Sequence, residues 1–543
     1  MSTASTPVGD PREAQVAALR ARGRHDLIVI GGGATGLGVA LDAAQRGLTV
    51  ALLEADDFAK GTSSRATKLL HGGVRYLAQG DVALVREALH ERSRVLRNAP
   101  HLAQPLPFVM PVYGWRGRLA LKWFYGAGLM IYDLMSGADR IGRTAFASRT
   151  RCLEWMPGLR TANLAGAVRY WDGQFDDARL AIAIARSAAA RGADVVGRCR
   201  VVGLTRDQGR TTGVVAEDLE SGLRLTLQAG CVVNATGVWV DEVRRLDPDD
   251  EGDIVAPSQG VHLVVDRDFL PGREALLVPR TADGRVLFAV PWLGKLILGT
   301  TDTPREDLAI EPRAFEHEIA FILAEAGRYL ARAPSRSDVR SVWVGLRPLV
   351  NAPARRERAA GDPAKAETKT LSREHTVLVS DSGLVTVTGG KWTTYRAMAE
   401  DVLACCMARG LLPMRAAGGT RDLRLQGAPV DGGHAAASIA DAPGLHLYGT
   451  DAAAVQRLPG ATRELGGGLT EAMVRFAVRN EYARSVEDVL ARRSRLLFLD
   501  ARLAMSLADE VGGILASELG ARFDAAASAA AFRALAAGYL PPG

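Results

Sequence analysis

The sequence predicts an α/β chain. A doubly wound, largely parallel sheet is interrupted by a second domain on a mixed or antiparallel sheet, and a helical region follows at the C-terminus. Three observations carry that prediction. The run DLIVIGGGATGLGVALDAAQRGLTVALLEAD, Asp26 to Asp56, reads as strand, glycine turn, helix and strand. The same grammar returns in GCVVNATGVWVDEV and again in LVTVTGGKWTTYRAMAEDVLA. Between them, residues 255–345 alternate short strands with turns, in VHLVVD, RVLFAV and KLILGTTD.

Taken in order, residues 1–24 form a polar, partly helical extension, without the basic and then apolar regions of a secretory signal. The strand Leu27–Ile30 opens the first unit. Gly31, Gly33 and Gly36 then follow the G-x-G-x-x-G pattern, with Ala34 and Thr35 starting the helix. One glycine permits the tight turn, the next lets backbone approach a pyrophosphate, and the third lets helix and strand pack closely. The helix N-terminus offers N–H groups and partial positive charge to phosphate. Glu54, closing the second run Leu48–Leu53, can accept both hydroxyls of an adenosine ribose.

The loop FAKGTSSRATKLLHGGVRYLAQGD follows the second strand, at the sheet edge where ligands of such folds bind. It holds His71, Arg75 and Tyr76. A helix is expected from Asp81 to Arg97. Residues 113–135 are the most apolar and aromatic stretch, flanked by Arg116, Arg118, Arg140 and Arg143. Two readings stand for it: a helix buried between domains, or a monotopic membrane anchor. Asp176 to Arg191 reads as a helix with an acidic start and Gly192 beyond its end. Strands are expected at Asp194–Gly197, Val201–Leu204, Gly213–Glu217, Leu223–Leu227 and Cys231–Asn234, the last followed by the turn Ala235-Thr236-Gly237. Further on, a helix from Arg313 to Ala333 and a strand Val342–Gly345 complete the region 255–345. Residues 353–371 read as a mobile, charged surface loop. Beyond about 410 a polar linker leads into helices, and no internal repeat is found.

The expected division is an extension over 1–24 and a discontinuous nucleotide-binding domain over 25–80, 170–255 and 340–408. A substrate or cap domain takes 81–169 and 256–339, and a helical domain takes 409–543. Three widely spaced Gly turns suit an extended dinucleotide enclosed along its length, which favours FAD over NAD.

Composition bounds the rest. The chain has 543 residues, 48% hydrophobic and 24% charged, with a formal charge of +6. That is room for two or three cores, and too little charge for wholesale nucleic-acid binding. The cysteines at 152, 199, 231, 405 and 406 have no metal-site spacing and suggest a reducing compartment; Cys405–Cys406 reads as core packing. No apolar run reaches the length of a membrane span, so a cytoplasmic or peripherally attached protein is expected.

The segments KLLHGGVRYL (68–77), GVHLVV (260–265), PWLGKLILGTTD (291–302), GLRPL (345–349), GGKWTTYR (389–396) and LARRSRLLFLD (490–500) together point to a family. With GGGATG, LLEADD, TSS, DDARL and NATGVWV, the chain resembles the FAD-dependent sn-glycerol-3-phosphate dehydrogenases, quinone-linked flavoenzymes, from Asp26 to about Asp500. The fold this implies is a Rossmann-like FAD-binding domain interrupted by a substrate domain. The resemblance implies that FAD is held by Gly31, Gly33, Ala34, Thr35, Gly36, Glu54, Thr62, Ser63, Ser64, Lys68, Leu70, His71, Gly72, Val201, Ala235, Thr236, Gly237, Gly389, Gly390, Lys391 and Thr393, with no metal.

It also implies oxidation of the C2 alcohol of sn-glycerol 3-phosphate to dihydroxyacetone phosphate, with hydride transfer to flavin N5. Electrons then pass to a membrane quinone, at the inner face of the cell membrane. A phosphate dianion calls for arginine, whose planar fork binds two oxygens at once. Arg75, Arg347 and Arg373 are the candidates, with Lys391 as a point charge and Tyr76 and Thr393 as hydrogen-bonding neighbours. His71, His262, Arg347 and Lys391 form the catalytic set, and the general base stays open between His71 and His262. Three features depart from the family pattern: Arg65-Ala66-Thr67 after TSS, the long 353–371 loop and the N-terminal extension. Arg65 reads as lying near the cofactor or pointing to water. An oxygen-using oxidase, an amine or amino-acid oxidase and a non-enzymatic flavin sensor are the alternatives. The C-terminal region leaves a homodimer open.

Overall fold

The computed structural model describes residues 10–73, 82–114, 120–248, 252–350, 375–430 and 437–542. Its first sheet has a parallel core, in the order Val385–Gly389, Arg224–Asn234, Arg24–Ile30, Val50–Leu53, Asp194–Val196. Strand His375–Val379 closes one edge in antiparallel sense. Leu27, Ile28, Val29, Val50 and Leu52 are fully buried, as strands covered on both faces require. In register, Ile30 stands opposite both Leu53 and Asn234. The carboxyl ends of these strands are therefore level, and the turns that follow them meet at one edge.

Helices Ala34–Gln45, Asp177–Ala189 and Tyr395–Ala408 pack together on one face. Gly38 lets two of them approach, since a Cβ there would stand 2.9 Å from the Tyr395 ring. Cys406 lies on the last of these helices, its Sγ 3.6 Å from Cys231 Sγ, both inside the core. The other face carries an antiparallel meander, Cys199–Asp207, Arg210–Asp218 and the first half of Arg224–Asn234, covered by helix Pro11–Arg22. The expected strands Leu223–Leu227 and Cys231–Asn234 are thus one strand. Its first half pairs antiparallel and its second half parallel. Gly230, between the two expected strands, sits in extended backbone, where a Cβ would press to 3.2 Å from the Asp26 carbonyl.

Among the described residues the second sheet has ten strands and is mostly antiparallel. Its centre is Val255–Asp266, Lys295–Gly299, Leu287–Trp292, Ala275–Val278, Ala103–Tyr113 and Leu164–Phe175. Helices Arg149–Trp155 and Glu316–Tyr329 cover one face, and the C-terminal helices cover the other. Sheet membership departs from the expected boundaries at 170 and 340. Leu164–Phe175 and Ser341–Val350 both pair within the second sheet, the latter along Val255–Asp266. An apolar strand does not announce which of two sheets it joins, because its partner is distant in sequence. Residues 113–135 also divide: a strand ends at Tyr113, and the helix runs Ala120–Met135. The expected loop at 353–371 lies outside the described residues.

Candidate cofactor cavity and substrate-side residues

A cavity of about 680 Å³ opens where the parallel strands end, within the size range of small-molecule and cofactor sites. The first glycine turn forms one wall. Gly31 has φ +107°, and a Cβ there would stand 2.8 Å from the Ala235 carbonyl of the second turn. A Cβ on Gly36 would overlap the Gly31 carbonyl, so helix and turn fit only without side chains. Helix Ala34–Gln45 starts at Gly33 with no side-chain cap, although Ser63 Oγ accepts the Ala34 N–H at 2.9 Å. Glu54 Oε2 accepts Gly32 N–H at 2.6 Å and Oε1 accepts Asp56 N–H at 2.8 Å. Burial pushes its carboxyl up to about 7, against the pull of those two hydrogen bonds.

Gly31, Gly33, Ala34, Thr35, Glu54, Thr62, Ser63, Val201, Ala235, Thr236, Gly237, Gly389, Gly390 and Lys391 all line this cavity. Gly237, Gly389 and Gly390 turn at φ +66°, +80° and +75°, and Thr388 Oγ1 donates to the Gly237 carbonyl at 3.1 Å. The cavity runs from Glu54 and Val201 across three glycine turns to Lys391. It offers a bare backbone cradle, a helix N-terminus and a terminal acid. These residues fit an extended dinucleotide such as FAD. Sequence reasoning passed over Lys60, Trp239, Leu308 and Trp392, which also line it. Of these, Lys60, Trp239 and Trp392 lie in segments that had been singled out, and Leu308 does not.

Gly36, Ser64, Lys68, Leu70, His71, Gly72 and Thr393 stand outside the lining. Lys68 is fully buried at φ +65°, with Nζ donating to Asp177 Oδ2 and the Ser64 carbonyl, both at 2.7 Å. The Trp343 ring centroid lies 4.5 Å away, and burial lowers the ammonium to about 7. Leu70 belongs to the strand Leu69–Leu70 of the second sheet. His71 N–H donates to Thr393 Oγ1 at 3.3 Å, joining the HGG turn to the GGKWTT turn. Gly72 N–H donates to Tyr132 OH at 2.7 Å. Arg65 neither faces the cavity nor points to water. It is buried and holds Glu311 at 2.6 Å, the Ile310 carbonyl and the Tyr539 hydroxyl.

Arg347 and His262 come together on neighbouring strands of the second sheet. Arg347 donates to the carbonyls of Thr301 and Gln259 at 2.9 and 3.2 Å and pairs with Asp302 at 3.2 Å. His262 stacks on Trp343, with ring centroids 4.1 Å apart, and its Nε2 lies 3.0 Å from Thr67 Oγ1. Burial, then Lys68, then Arg347 hold its pKa well below the usual histidine value, so the imidazole is neutral. Two glycines make the room. A Cβ on Gly260 would overlap the Arg347 guanidinium, and one on Gly299 would stand 2.5 Å from His262 Cδ2. Neither glycine was singled out from sequence, although Gly299 is paired directly with His262 across the sheet. Pro348, next to Arg347, lines the cavity. The loop that supplies Thr62 and Ser63 to the cavity thus also supplies Thr67 to His262. A neutral imidazole can take a proton, and a guanidinium beside it can bind an anion. Arg75, Tyr76 and Arg373 lie outside the described residues.

Comparison with known proteins bears on the fold and the cofactor. A family model described as FAD dependent oxidoreductase matches residues 26–396, and one described as the C-terminal domain of alpha-glycerophosphate oxidase matches 420–525. The mitochondrial glycerol-3-phosphate dehydrogenase of Homo sapiens is 40% identical, over 94% of this chain and 72% of that protein. That of Arabidopsis thaliana is 38% identical, over 95% and 86%. The crystal structure of glycerol-3-phosphate dehydrogenase from Bacillus halodurans, complexed with FAD, superposes with a TM-score of 0.76 at 28% identity, covering 98% of each chain.

Proposed function

The chain belongs to the glycerol-3-phosphate dehydrogenase family of FAD-dependent oxidoreductases, and from that premise we propose that it oxidises sn-glycerol 3-phosphate to dihydroxyacetone phosphate. Bound FAD supplies the hydride acceptor, N5 of the isoalloxazine ring. The observation that carries the reading is the neighbouring pair of Arg347 and a neutral, buried His262 beside the cofactor cavity. Arg347 binds the substrate phosphate, and His262 accepts the C2 hydroxyl proton at an imidazole nitrogen. Lys391 adds positive charge on the cavity side, and Thr393 fixes the HGG turn through the His71 N–H.

The acceptor we propose is a membrane quinone, reached at the surface of the membrane's inner face. No described helix is long and apolar enough to cross a bilayer. Helix Ala120–Met135, however, exposes Met130, Ile131 and Leu134, the last at 78%, with Phe146 also exposed. An apolar face of this kind suits an interfacial helix. Oxygen is the rival acceptor, favoured by the match of residues 420–525 to the C-terminal domain named for the oxidase.

Anaerobic addition of sn-glycerol 3-phosphate is expected to bleach the yellow holoenzyme, whereas glycerol and amino acids leave it unchanged. A flavin that stays oxidised overturns the dehydrogenase reading. Comparing reoxidation by a quinone analogue with reoxidation by oxygen then separates the two acceptors.

A further inference from the structure

The turn Thr62–Ser64 is held at every residue by a different part of the chain. Thr62 Oγ1 donates to the Leu346 carbonyl at 2.6 Å, from the second sheet. The Ser63 carbonyl accepts Trp392 Nε1–H at 2.9 Å, from the third glycine turn. The Ser64 carbonyl accepts two cations, Lys68 Nζ at 2.7 Å and Arg495 Nη2 at 2.8 Å. Arg495 comes from the C-terminal region, 431 residues away. It is fully buried, sits at φ +67°, and packs over Phe498 at 4.3 Å. Its fork also bonds Asp177 Oδ1 at 3.0 Å and the Ala491 carbonyl at 2.9 Å. Asp177 in turn accepts Ala66 N–H at 3.0 Å, so both ends of the short loop meet the same pair of charges.

We propose that Arg495 is a positioning residue for the cofactor: it fixes the Ser63 hydroxyl at the N-terminus of helix Ala34–Gln45 and so makes FAD retention depend on the C-terminal domain. The proposal rests on the reading of this cavity as the FAD site. Ser63 Oγ meets the Ala34 N–H, one of the groups expected to face the pyrophosphate. The Ser64 carbonyl is one peptide away and buried. Without Arg495 that carbonyl keeps a single donor, Lys68, which must also satisfy Asp177. The turn then loses its anchor to the C-terminal region, and the Ser63 hydroxyl beside the helix N-terminus is held less firmly.

The test follows FAD release from diluted holoenzyme, by recovery of flavin fluorescence, in wild type, R495M, R495K and R179M. R179M removes a buried ion pair to Glu481 across the same interface, without touching the turn. R495M is expected to release FAD with a dissociation constant raised about tenfold or more, the size expected for a buried charge-assisted bond. R495K is expected to fall between, raised about threefold, because an ammonium cannot span three acceptors in one plane. R179M is expected to stay within about twofold of wild type. Unchanged release from R495M, or an equal loss in R179M, overturns the proposal. If R495M does not fold, R495K alone decides, and wild-type retention in it overturns the proposal. A wild type that binds no FAD would instead sink the reading of the cavity.

Discussion

Glu54 enters the cofactor cavity with both carboxylate oxygens already accepting N–H groups, and burial raises its pKa to about 7. The raised value means that the protonated form is favoured on folding. Its contribution to apoprotein stability is therefore present at low pH and lost as the pH rises through about 7. FAD binding has the opposite sign, because two ribose hydroxyls donate more strongly to the ionised carboxylate than to a carboxyl that carries its own proton. FAD affinity of the deflavinated protein should rise between pH 6 and 8 and level off above, and E54Q should flatten the slope. A wild-type affinity that is constant over this range would contradict the assignment. Arg347→Ala should raise KM for sn-glycerol 3-phosphate about 10- to 100-fold, the cost of a charge-assisted phosphate contact, with FAD content unchanged. Much of this residue set was legible. Gly31, Gly33, Gly36 and Glu54 follow a spacing set by backbone geometry, and Arg347 lies in a family segment. Gly260 and Gly299 were not, because their purpose appears only in cross-strand register. Lys68 was placed at the cofactor by the family resemblance of KLLHGGVRYL. Its left-handed backbone instead turns the ammonium inward to Asp177.

Helix Ala120–Met135 has two faces with opposite partners. Inward, the buried Tyr132 hydroxyl accepts Gly72 N–H and meets both Asp172 oxygens at 2.9 and 3.0 Å, beside Arg92. Outward, Met130, Ile131 and Leu134 meet solvent. The two readings of 113–135 were a buried helix and a membrane anchor; one face of this helix is buried, and the other is exposed and apolar. Apolar composition could not separate them, since the strand ending at Tyr113 is as apolar as the helix. The phase of the helix decides which residues face out. Replacing Ile131 and Leu134 by serine should release the holoenzyme from anionic vesicles in a flotation assay while anaerobic bleaching by substrate persists. Vesicle binding equal to wild type would leave this face without a membrane role. A loss of bleaching would point to damage at Tyr132 and the HGG turn.

Across the whole molecule, the C-terminal helices are joined to the nucleotide-binding domain by buried charge. Arg492 and Arg493 both grip Asp57, three residues beyond Glu54, and Arg198 and Arg179 hold Asp488 and Glu481 at 2.9 and 2.8 Å. Three neighbouring guanidinium groups hold the Asp488 carboxyl far below its ordinary range, against its burial. The helical character of this region was legible in the sequence beyond about residue 410. The seam was not, because the partners lie more than 400 residues apart for Asp57, and a run such as LARRSR reads equally well as a solvated face. Buried ion pairs add little net stability over apolar packing, yet removing one partner leaves a stranded charge at about 3–5 kcal/mol. Asp57→Ala should therefore lower the unfolding free energy by an amount of that order and weaken FAD retention with it, since the turn that carries Glu54 is fixed by the same contact. A seam of this strength also predicts cooperativity. The holoenzyme should unfold in one transition, and FAD at 100 times its dissociation constant should raise the stability of the whole by about 2.7 kcal/mol. Calorimetry showing two transitions, with only one sensitive to FAD, would mean that the C-terminal helices fold on their own and that the arginines merely dock them.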